Sequence, residues 1–257
     1  MTTKLKVGVI GLGSMGSTHL DIYAQLTNVE VIAISDSVQS RLDGSSKAEG
    51  NISGQAQGGV MSMDTKKYLD GMDLINDPEI ELVDICVGTD LHFIFVEAAL
   101  AKGKHVLVEK PLARTYEEAK KIVQLAKNSP SNIMSAMCLR YWPAWVWLKE
   151  VIESEAYGKC LSLNCKRQTS FPGGSFYSSH EQCGGALLDL HVHDTDFINY
   201  CFGVPVAVFS QGYKGPSGGI DHVVTNYIFD KEKFSPLVSS EGTWAMQDGY
   251  GFDMSYT

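Results

Sequence analysis

Residues 5–16 read LKVGVIGLGSMG, an apolar run that passes directly into glycines spaced as G-x-G-x-x-G. Helix-like sequence follows over His19–Leu26, and a second apolar run, Val29–Ser35, leads to Asp36. The glycine spacing alone is a weak signal. The same spacing between a strand and a helix, with an acidic residue about 20 positions further on, is typical of a dinucleotide-binding unit.

Each glycine of this motif has a separate steric role. Gly11 permits the tight turn after the strand, Gly13 lets the backbone approach a pyrophosphate, and Gly16 lets the helix pack against the strand. The helix N-terminus then offers N–H groups and the positive end of a dipole to the phosphates. The cofactor contacts predicted in this loop are Gly11, Leu12, Gly13, Ser14 and Met15.

Asp36 determines which dinucleotide the motif favours. A carboxylate at this position accepts hydrogen bonds from ribose hydroxyls and repels a 2′-phosphate, which predicts NAD as the cofactor. Arg41 lies close by in the sequence and could accommodate that phosphate, so NADP stays an alternative. A glycine-rich turn without any cofactor is the weaker interpretation of the same residues.

The composition is that of an ordinary soluble globular protein. Of 257 residues, 44% are hydrophobic and 20% are charged, and 21 basic residues stand against 30 acidic ones for a net charge of −9. This balance disfavours nucleic acid and membrane surfaces as partners, because both require a basic patch. Six cysteines without a C-x-x-C pair indicate reduced thiols. Since no signal peptide or membrane-length apolar run is seen, we expect a cytoplasmic protein.

Strands and helices alternate through the first half of the chain, which predicts a doubly wound parallel sheet. The predicted strands are Val7–Ile10, Val29–Ile34, Leu82–Val87, His105–Val108 and Ile133–Cys138. The predicted helices include Asp64–Asn76, Phe93–Ala101 and Thr115–Lys127, the last with Thr115 as its N-cap. Residues 41–64 lack a clean period and predict a loop with at most one short helix.

The pattern changes near residue 138, so we predict a first domain over residues 1–137 and a second over residues 138–257. A long helix over Ala186–Cys201 and several strands predict an α+β unit with an open antiparallel sheet. The predicted strands of this unit are Cys160–Ser170, Val206–Gly212, Val223–Phe229 and Val238–Trp244. Because residues 252–257 alternate as a strand up to the end of the chain, we expect a truncated domain or a sheet completed by another subunit.

A chemical motif, Glu109-Lys110-Pro111, follows the strand that ends at Val108. Its lysine stands at the carboxyl end of a parallel strand, where open α/β sheets bind their ligands. A lysine beside a nicotinamide can hydrogen-bond a substrate hydroxyl and stabilise developing alkoxide charge. A solvated lysine in a turn is an equally good interpretation of the spacing alone.

A second chemical motif reads DLHVHD over residues 189–194. On one continuous helix Asp189 and His193 are i, i+4 neighbours. His193 can take a hydroxyl proton as hydride leaves carbon, since its pKa lies near working pH, and Asp189 can orient the ring. A helix whose histidines make only structural hydrogen bonds is the commoner outcome for such a pair.

The same motif could be a metal site formed by Asp189, His191, His193 and Asp194. On a regular helix, however, His191 and His193 point about 200° apart, which disfavours chelation of one ion. We therefore predict no metal.

The glycine fingerprint, Glu109-Lys110-Pro111 and the Asp189…His193 spacing resemble the Gfo/Idh/MocA oxidoreductases over nearly the whole chain. The resemblance implies an N-terminal Rossmann domain and a C-terminal open antiparallel sheet that commonly forms dimers or tetramers. It also implies that Lys110 contacts substrate and nicotinamide, that His193 accepts the proton and that Asp189 is its partner.

Further site residues follow from the resemblance. Arg140 lies where the family's chains cross between domains, and it is predicted to contact substrate together with Lys110, Asp189 and His193. Many members carry Pro-Asn-x-x-His after the strand that here ends at Val87, whereas this chain reads GTDLH without the proline. The remaining predicted cofactor contacts are Gly88, Thr89, His92, Glu109 and Lys110.

The resemblance implies an NAD(P)-dependent oxidoreductase that transfers a hydride between nicotinamide and a secondary alcohol of a sugar, cyclitol or related polyol. Two alternatives stay open. Some members use a tightly held NAD for transient oxidation during glycoside cleavage, and a non-catalytic NAD-binding sensor would have the same fold. The expected partners are a small-molecule substrate and further copies of the chain, joined as a homo-dimer or homo-tetramer through the C-terminal sheet.

Overall fold

The computed structural model describes residues 3–46, 64–230 and 235–257. It divides into two units, Met1–Ala136 and Met137–Thr257. Most of the loop predicted over residues 41–64 lies outside the described residues. No helix of the described residues has the length and apolar character needed to cross a membrane.

The first unit contains a six-stranded parallel sheet with helices. Its strands are β1 Leu5–Ile10, β2 Val29–Ser35, β3 Lys66–Tyr68, β4 Leu82–Ile85, β5 His105–Val108 and β6 Ile133–Ser135. Its α-helices are α1 Ser14–Tyr23, α2 Gln39–Leu42, α3 Gly71–Asn76, α4 His92–Ala101 and α5 Tyr116–Asn128, and a 3-10 helix covers Thr89–Leu91. The strand order is β3-β2-β1-β4-β5-β6, which confirms the predicted doubly wound sheet.

Both faces of this sheet are covered, which explains its continuous apolar strands. Val7 and Val9 of β1 pack in one hydrophobic cluster with Leu20 of α1. Ile10 of the same strand packs in a second cluster with residues of β4, β5 and α4. The chain therefore leaves β1 for the glycine loop from the middle of a packed sheet.

The helix predicted over Asp64–Asn76 is partly wrong. Lys66–Tyr68 forms the edge strand β3, paired with Ala33–Ser35 of β2. The helix begins only at Gly71, where the side chain of Asp70 accepts a hydrogen bond from the Met72 N–H. A strand of three residues is too short to show a period, and its pairing with β2 determines its structure.

The second unit is a five-stranded mixed sheet with helices. Its helices are α6 Pro143–Ser154, α7 Gly174–Tyr177, α8 His180–Cys183, α9 Gly185–Asp189 and α10 Val192–Phe202, with a 3-10 helix at Cys138–Tyr141. Its strands are β7 Ser162–Ser170, β8 Ala207–Lys214, β9 Ile220–Ile228, β10 Leu237–Met246 and β11 Asp253–Tyr256. The strand order is β11-β7-β10-β9-β8.

This sheet differs from the antiparallel prediction at one pairing. β7 and β10 run parallel, whereas the pairs β9/β10, β8/β9 and β7/β11 are antiparallel. A parallel pair requires a long crossover connection, and α7 to α10 together with β8 and β9 supply it. The core of the unit includes Trp145 of α6 and Phe197 of α10, whose rings pack edge to face.

Candidate active-site residues in the two units

The glycine loop has the geometry that its spacing predicts. Gly11 adopts a positive φ of 92°, a conformation that favours glycine. A Cβ on Gly16 would lie 1.8 Å from the carbonyl oxygen of Gly11, so α1 can pack against the turn only with glycine there. A Cβ on Gly13 would meet no described atom within 4 Å, which leaves the outer side of the loop open to a phosphate.

Helix α1 offers its N-terminus to this open side. Its N-cap residue, Gly13, has an extended conformation and makes no side-chain cap hydrogen bond. N–H groups at a helix N-terminus together with the helix dipole favour an anion. The residues present therefore fit the pyrophosphate of a dinucleotide.

Asp36 holds the same loop from the end of β2. One of its carboxylate oxygens accepts the Leu12 N–H at 2.8 Å, and the other accepts the Val38 N–H at 2.8 Å. Arg41 Nη1 lies 3.3 Å from Asp36 Oδ2. A carboxylate has about four acceptor positions, so Asp36 retains capacity for a ribose hydroxyl. Because Arg41 contacts Asp36, its charge is partly compensated by this carboxylate rather than left for a 2′-phosphate.

The Glu109-Lys110-Pro111 turn stands at the carboxyl end of β5, as predicted. Its Lys110–Pro111 peptide bond is cis. Glu109 is buried, and its Oε2 accepts a hydrogen bond from the Lys110 N–H at 2.9 Å. The backbone that carries the Lys110 side chain is therefore fixed by the neighbouring carboxylate.

A buried ionic cluster that the sequence patterns did not predict lies beside this turn. His19 of α1 has Nδ1 at 2.8 Å from Asp84 Oδ2 and Nε2 at 3.2 Å from Glu109 Oε1. Tyr23 donates its hydroxyl to Asp84 at 2.9 Å. The available signal was Asp84 itself, a charged residue inside an apolar strand whose two faces are covered.

Burial and hydrogen bonding act in opposite directions on this cluster. Burial by itself lowers the pKa of His19, but hydrogen bonds to Asp84, Cys86 and Glu109 raise it well above its usual range. Burial raises the pKa of Glu109, but the His19 hydrogen bond and the Lys110 charge outweigh it and hold that pKa below its usual range. Burial raises the pKa of the Cys86 thiol.

His19, Asp84 and Cys86 are also close enough together to be considered as metal ligands. Two ligands of one tetrahedral zinc ion stand about 3.3 Å apart, given bonds of about 2.0 Å. The 2.8 Å between His19 Nδ1 and Asp84 Oδ2 is instead the length of a charge-assisted hydrogen bond. We therefore interpret the cluster as a hydrogen-bonded ionic network.

His92, a predicted cofactor contact, is 1% exposed. Its Nδ1 lies 2.9 Å from the Pro111 carbonyl oxygen and its Nε2 lies 3.1 Å from the Val87 carbonyl oxygen. Burial lowers the pKa of His92, although the hydrogen bonds to these two uncharged carbonyl groups act in the opposite direction. Its observed role is to support the turn that carries Lys110, and cofactor contact by Gly88, Thr89 and His92 stays a prediction.

In the second unit, the continuous helix predicted over Ala186–Cys201 is wrong. Helix α9 ends at Asp189 and α10 begins at Val192. The His191 N–H reaches back to the Ala186 carbonyl at 2.8 Å, five residues earlier, which interrupts the regular ladder. Asp189 and His193 therefore stand on two helices, and the i, i+4 argument for placing them on one face does not apply.

His191 explains the interruption. Its Nε2 lies 3.0 Å from Thr225 Oγ1 on β9 and 3.2 Å from Ser240 Oγ on β10. Burial lowers the pKa of His191, and its Nδ1 has no hydrogen-bond partner among the described residues. The neutral ring is thus inserted against the sheet, while His193 stands in the first turn of α10, half-buried, with Cys138 Sγ 4.0 Å from its Nδ1.

Two arginine–carboxylate pairs surround the start of α10. Arg167 binds the buried Asp194 through Nε at 3.0 Å and Nη2 at 3.1 Å. Arg140 binds Asp196 through Nε at 2.8 Å and Nη2 at 2.6 Å. Asp194 is bound to Arg167, and His191 is hydrogen-bonded to Thr225 and Ser240 of the sheet. These contacts give no support to the alternative of a metal site formed by Asp189, His191, His193 and Asp194. The hydrogen bonds of Arg140 to described residues use Nε and Nη2, which leaves the donors of Nη1 for a further partner.

The family assignment follows from sequence matches that cover both units. Residues 5–136 match the family described as "Oxidoreductase family, NAD-binding Rossmann fold", and residues 145–255 match the "GFO/IDH/MocA C-terminal domain". The chain belongs to the Gfo/Idh/MocA oxidoreductases. It is therefore a member of an NAD-binding oxidoreductase family, as the motifs predicted.

Relatives and solved structures agree with this assignment. The myo-inositol 2-dehydrogenase of Thermotoga maritima is 28% identical over 256 residues, which cover 97% of this chain and 71% of the relative. The inositol 2-dehydrogenase of Salmonella typhimurium is 33% identical over 198 residues, which cover 76% of this chain and 54% of the relative. The structure of a levoglucosan dehydrogenase in complex with NADH and levoglucosan has a TM-score of 0.83 at 26% identity, covering 99% of this chain and 70% of that one. The chain thus spans about half to seven tenths of the lengths of these proteins.

Proposed function

We propose that the protein is an NAD-dependent dehydrogenase that oxidises a secondary alcohol of a cyclitol, sugar or related polyol. The observation that carries the proposal is the placement of Lys110 on a turn whose backbone Glu109 fixes, in the same unit as the open glycine loop. A lysine whose backbone is fixed at the carboxyl edge of a parallel sheet stands where such sheets bind ligands.

The first unit supplies the contacts for NAD. The N-terminus of α1 binds the pyrophosphate, and Asp36 accepts from the adenosine ribose. When bound, NAD accepts the hydride that leaves the substrate carbon.

Two side chains handle the substrate hydroxyl. Lys110 donates a hydrogen bond to its oxygen and stabilises the negative charge that develops there. His193 accepts the hydroxyl proton, and Asp189 favours the resulting imidazolium. Arg140, anchored by Asp196, contributes its Nη1 donors to other hydroxyls of the substrate.

The substrate class is supported by the relatives, which are named as dehydrogenases of inositol and of levoglucosan. Cyclitols and anhydrosugars both present secondary hydroxyls on a six-membered ring. A donor such as Lys110 suits these hydroxyls because it can serve as a hydrogen-bond partner for oxygen in any ring position.

The test is a panel of polyols that includes myo-inositol and levoglucosan, followed by NADH absorbance with NAD and, separately, with NADP. We expect NAD-dependent turnover of at least one polyol. Lys110→Met and His193→Ala should each lower kcat by about a hundredfold or more. Full turnover in both variants, or cofactor binding without turnover of any polyol, would contradict the proposal.

We also propose that two copies of the chain associate through the sheet of the second unit. Every residue of the edge strand β8 is exposed, and the exposed side chains include Val208, Phe209 and Tyr213. Such a patch is typical of an interface. In light scattering, Phe209→Asp should shift the protein toward the monomer, whereas Tyr116→Asp, at an exposed aromatic on α5, should not. A monomeric wild-type protein would contradict this second proposal.

A further inference from the structure

His19 connects the helix of the glycine loop to the Glu109-Lys110-Pro111 turn. It stands on α1, and its two ring nitrogens face two different carboxylates, Asp84 on β4 and Glu109 after β5. The three side chains are 13%, 0% and 9% exposed, respectively, so water screens their charges only weakly.

The protonation state of His19 follows from the two negatively charged carboxylates that face its ring nitrogens, whereas the acceptors beside His92 are uncharged carbonyl groups. A carboxylate only accepts hydrogen bonds, so a ring nitrogen that faces one must carry a hydrogen. A neutral imidazole carries one N–H, whereas both nitrogens of His19 lie within 3.2 Å of a carboxylate oxygen. His19 is therefore an imidazolium that donates to Asp84 and to Glu109.

Glu109 connects His19 to the backbone of Lys110. Its Oε1 accepts from His19, and its Oε2 accepts from the Lys110 backbone N–H. Without His19, Glu109 would be a buried carboxylate with one partner fewer, and a buried charge reorients to recover its lost hydrogen bond. Any such movement also moves the backbone from which the Lys110 side chain extends.

We infer that His19 is a positioning residue for the proposed reaction, because it clamps Glu109 and thereby orients Lys110. The inference rests on the role proposed for Lys110. The charged side chain of His19 thus joins helix α1, which binds the pyrophosphate, to the turn that carries Lys110.

Tyr23 provides the matched control. It lies one turn after His19 on α1 and donates to the same Asp84 oxygen, but the structure gives it no hydrogen bond to Glu109. Tyr23→Phe therefore disturbs the same cluster without touching the link to Lys110. A purely structural role of the cluster would make Tyr23→Phe and His19→Gln similar.

The kinetic test uses the full chain with NAD and myo-inositol. We expect His19→Gln to lower kcat by about tenfold or more, since misplaced catalytic groups cost about that much or more. NADH affinity should change less than about threefold, and Tyr23→Phe should stay within about twofold of wild-type kcat. Glu109→Gln should resemble His19→Gln, and the double variant should be no worse than either single one. Equal kcat in His19→Gln and Tyr23→Phe would overturn the inference.

A second measurement separates this inference from the proposed function. Lysines are reductively methylated with ¹³C-formaldehyde, and the Lys110 signal is assigned by its loss in Lys110→Arg. We expect His19→Gln to shift this signal and Tyr23→Phe to leave it in place. Failure of the proposed function would appear as no polyol turnover by the wild type. Failure of the inference would appear as an unshifted Lys110 signal in His19→Gln.

A third measurement uses only the wild type, so its result does not depend on whether the variants fold. The chain has seven histidines, and ¹⁵N-histidine labelling reports the charge of each. At about pH 9 an ordinary histidine is neutral, so we expect one imidazolium signal to persist. Seven neutral rings at that pH would overturn the assignment of His19 as a charged clamp.

Discussion

Arg167 and Asp194 form a bidentate ion pair inside the second unit, with side chains only 2% and 0% exposed. Arg167 stands on β7 and Asp194 in the first turn of α10, directly after His193. The pair therefore fixes the start of the helix that carries the proposed proton acceptor. Its geometry is that of a planar fork meeting a carboxylate, which Lys would not reproduce.

Arg167→Met should destabilise the protein by about 3–5 kcal/mol, because it leaves the Asp194 charge buried without its partner. The measurement is urea unfolding at neutral pH. Lys166→Met is the matched control, since Lys166 stands on the same strand and points to the opposite face, and we expect it to change stability by less than about 0.5 kcal/mol. The double variant Arg167→Met/Asp194→Leu should recover part of the loss, because no charge is then buried alone. A double variant less stable than Arg167→Met would contradict this account.

Gly242→Ala should disturb the junction between α9 and α10. A Cβ at residue 242 would lie 2.8 Å from His191 Nδ1 and 3.1 Å from His191 Cβ, closer than van der Waals contact allows. The His191 ring would have to move away from Thr225 and Ser240, at a cost of about 1–3 kcal/mol. Gly251→Ala is the control, because no described atom lies within 4 Å of its Cβ. Thermal unfolding compares the two, and equal melting temperatures would contradict the expected clash.

Local patterns predicted those parts of the fold that local interactions determine. Thr115 and Glu118 form a capping box at the start of α5, which confirms the prediction that Thr115 is the N-cap. The glycine loop was readable because each glycine is required by a turn or a close approach within its own βα segment. These signals lie within a few residues of the structure that they specify.

The features that the sequence patterns did not predict depend on residues that are distant along the chain. The break at His191 is determined by hydrogen bonds to Thr225 and Ser240, which lie 34 and 49 positions further along the chain. His19 joins Asp84 across 65 positions, and no spacing rule connects them. The apolar periodicity over residues 186–201 therefore predicted one helix, although tertiary hydrogen bonds divide it.

The stability of the protein should depend on His19 at alkaline pH. Because its folded-state pKa is raised, its stabilisation is fully present below the unfolded pKa of about 6.5 and decreases as pH rises above that value. Between about pH 7 and pH 8, the unfolded chain binds on average about a tenth of a proton at this site, whereas the folded chain retains one. The free energy of unfolding should therefore fall by about 1 kcal/mol more in the wild type than in His19→Gln over this interval.

Urea titrations of both proteins at the two pH values provide this measurement. Asp84, Glu109, Cys86 and the ammonium of Lys110 are common to both proteins, so the difference between the two slopes reports His19. His92 and His191 have lowered pKa values, and their contribution is instead lost as pH falls through about 6.5, outside this interval. Parallel slopes in the two proteins would show that His19 is neutral when folded.

Cofactor choice should depend on the charge of Asp36. Asp36→Asn keeps an oxygen that can accept from Leu12 or Val38 but removes the negative charge that opposes a 2′-phosphate. Arg41, 3.3 Å from the present carboxylate, would then be released to meet such a phosphate. We expect the ratio of the Kd for NADPH to the Kd for NADH to fall by about tenfold, equivalent to about 1.4 kcal/mol. Fluorescence titration measures both constants. Asp43→Asn, at the exposed end of α2, is the control and should leave the ratio of the two Kd values unchanged. An unchanged ratio in Asp36→Asn would show that the charge of Asp36 does not discriminate between the two cofactors.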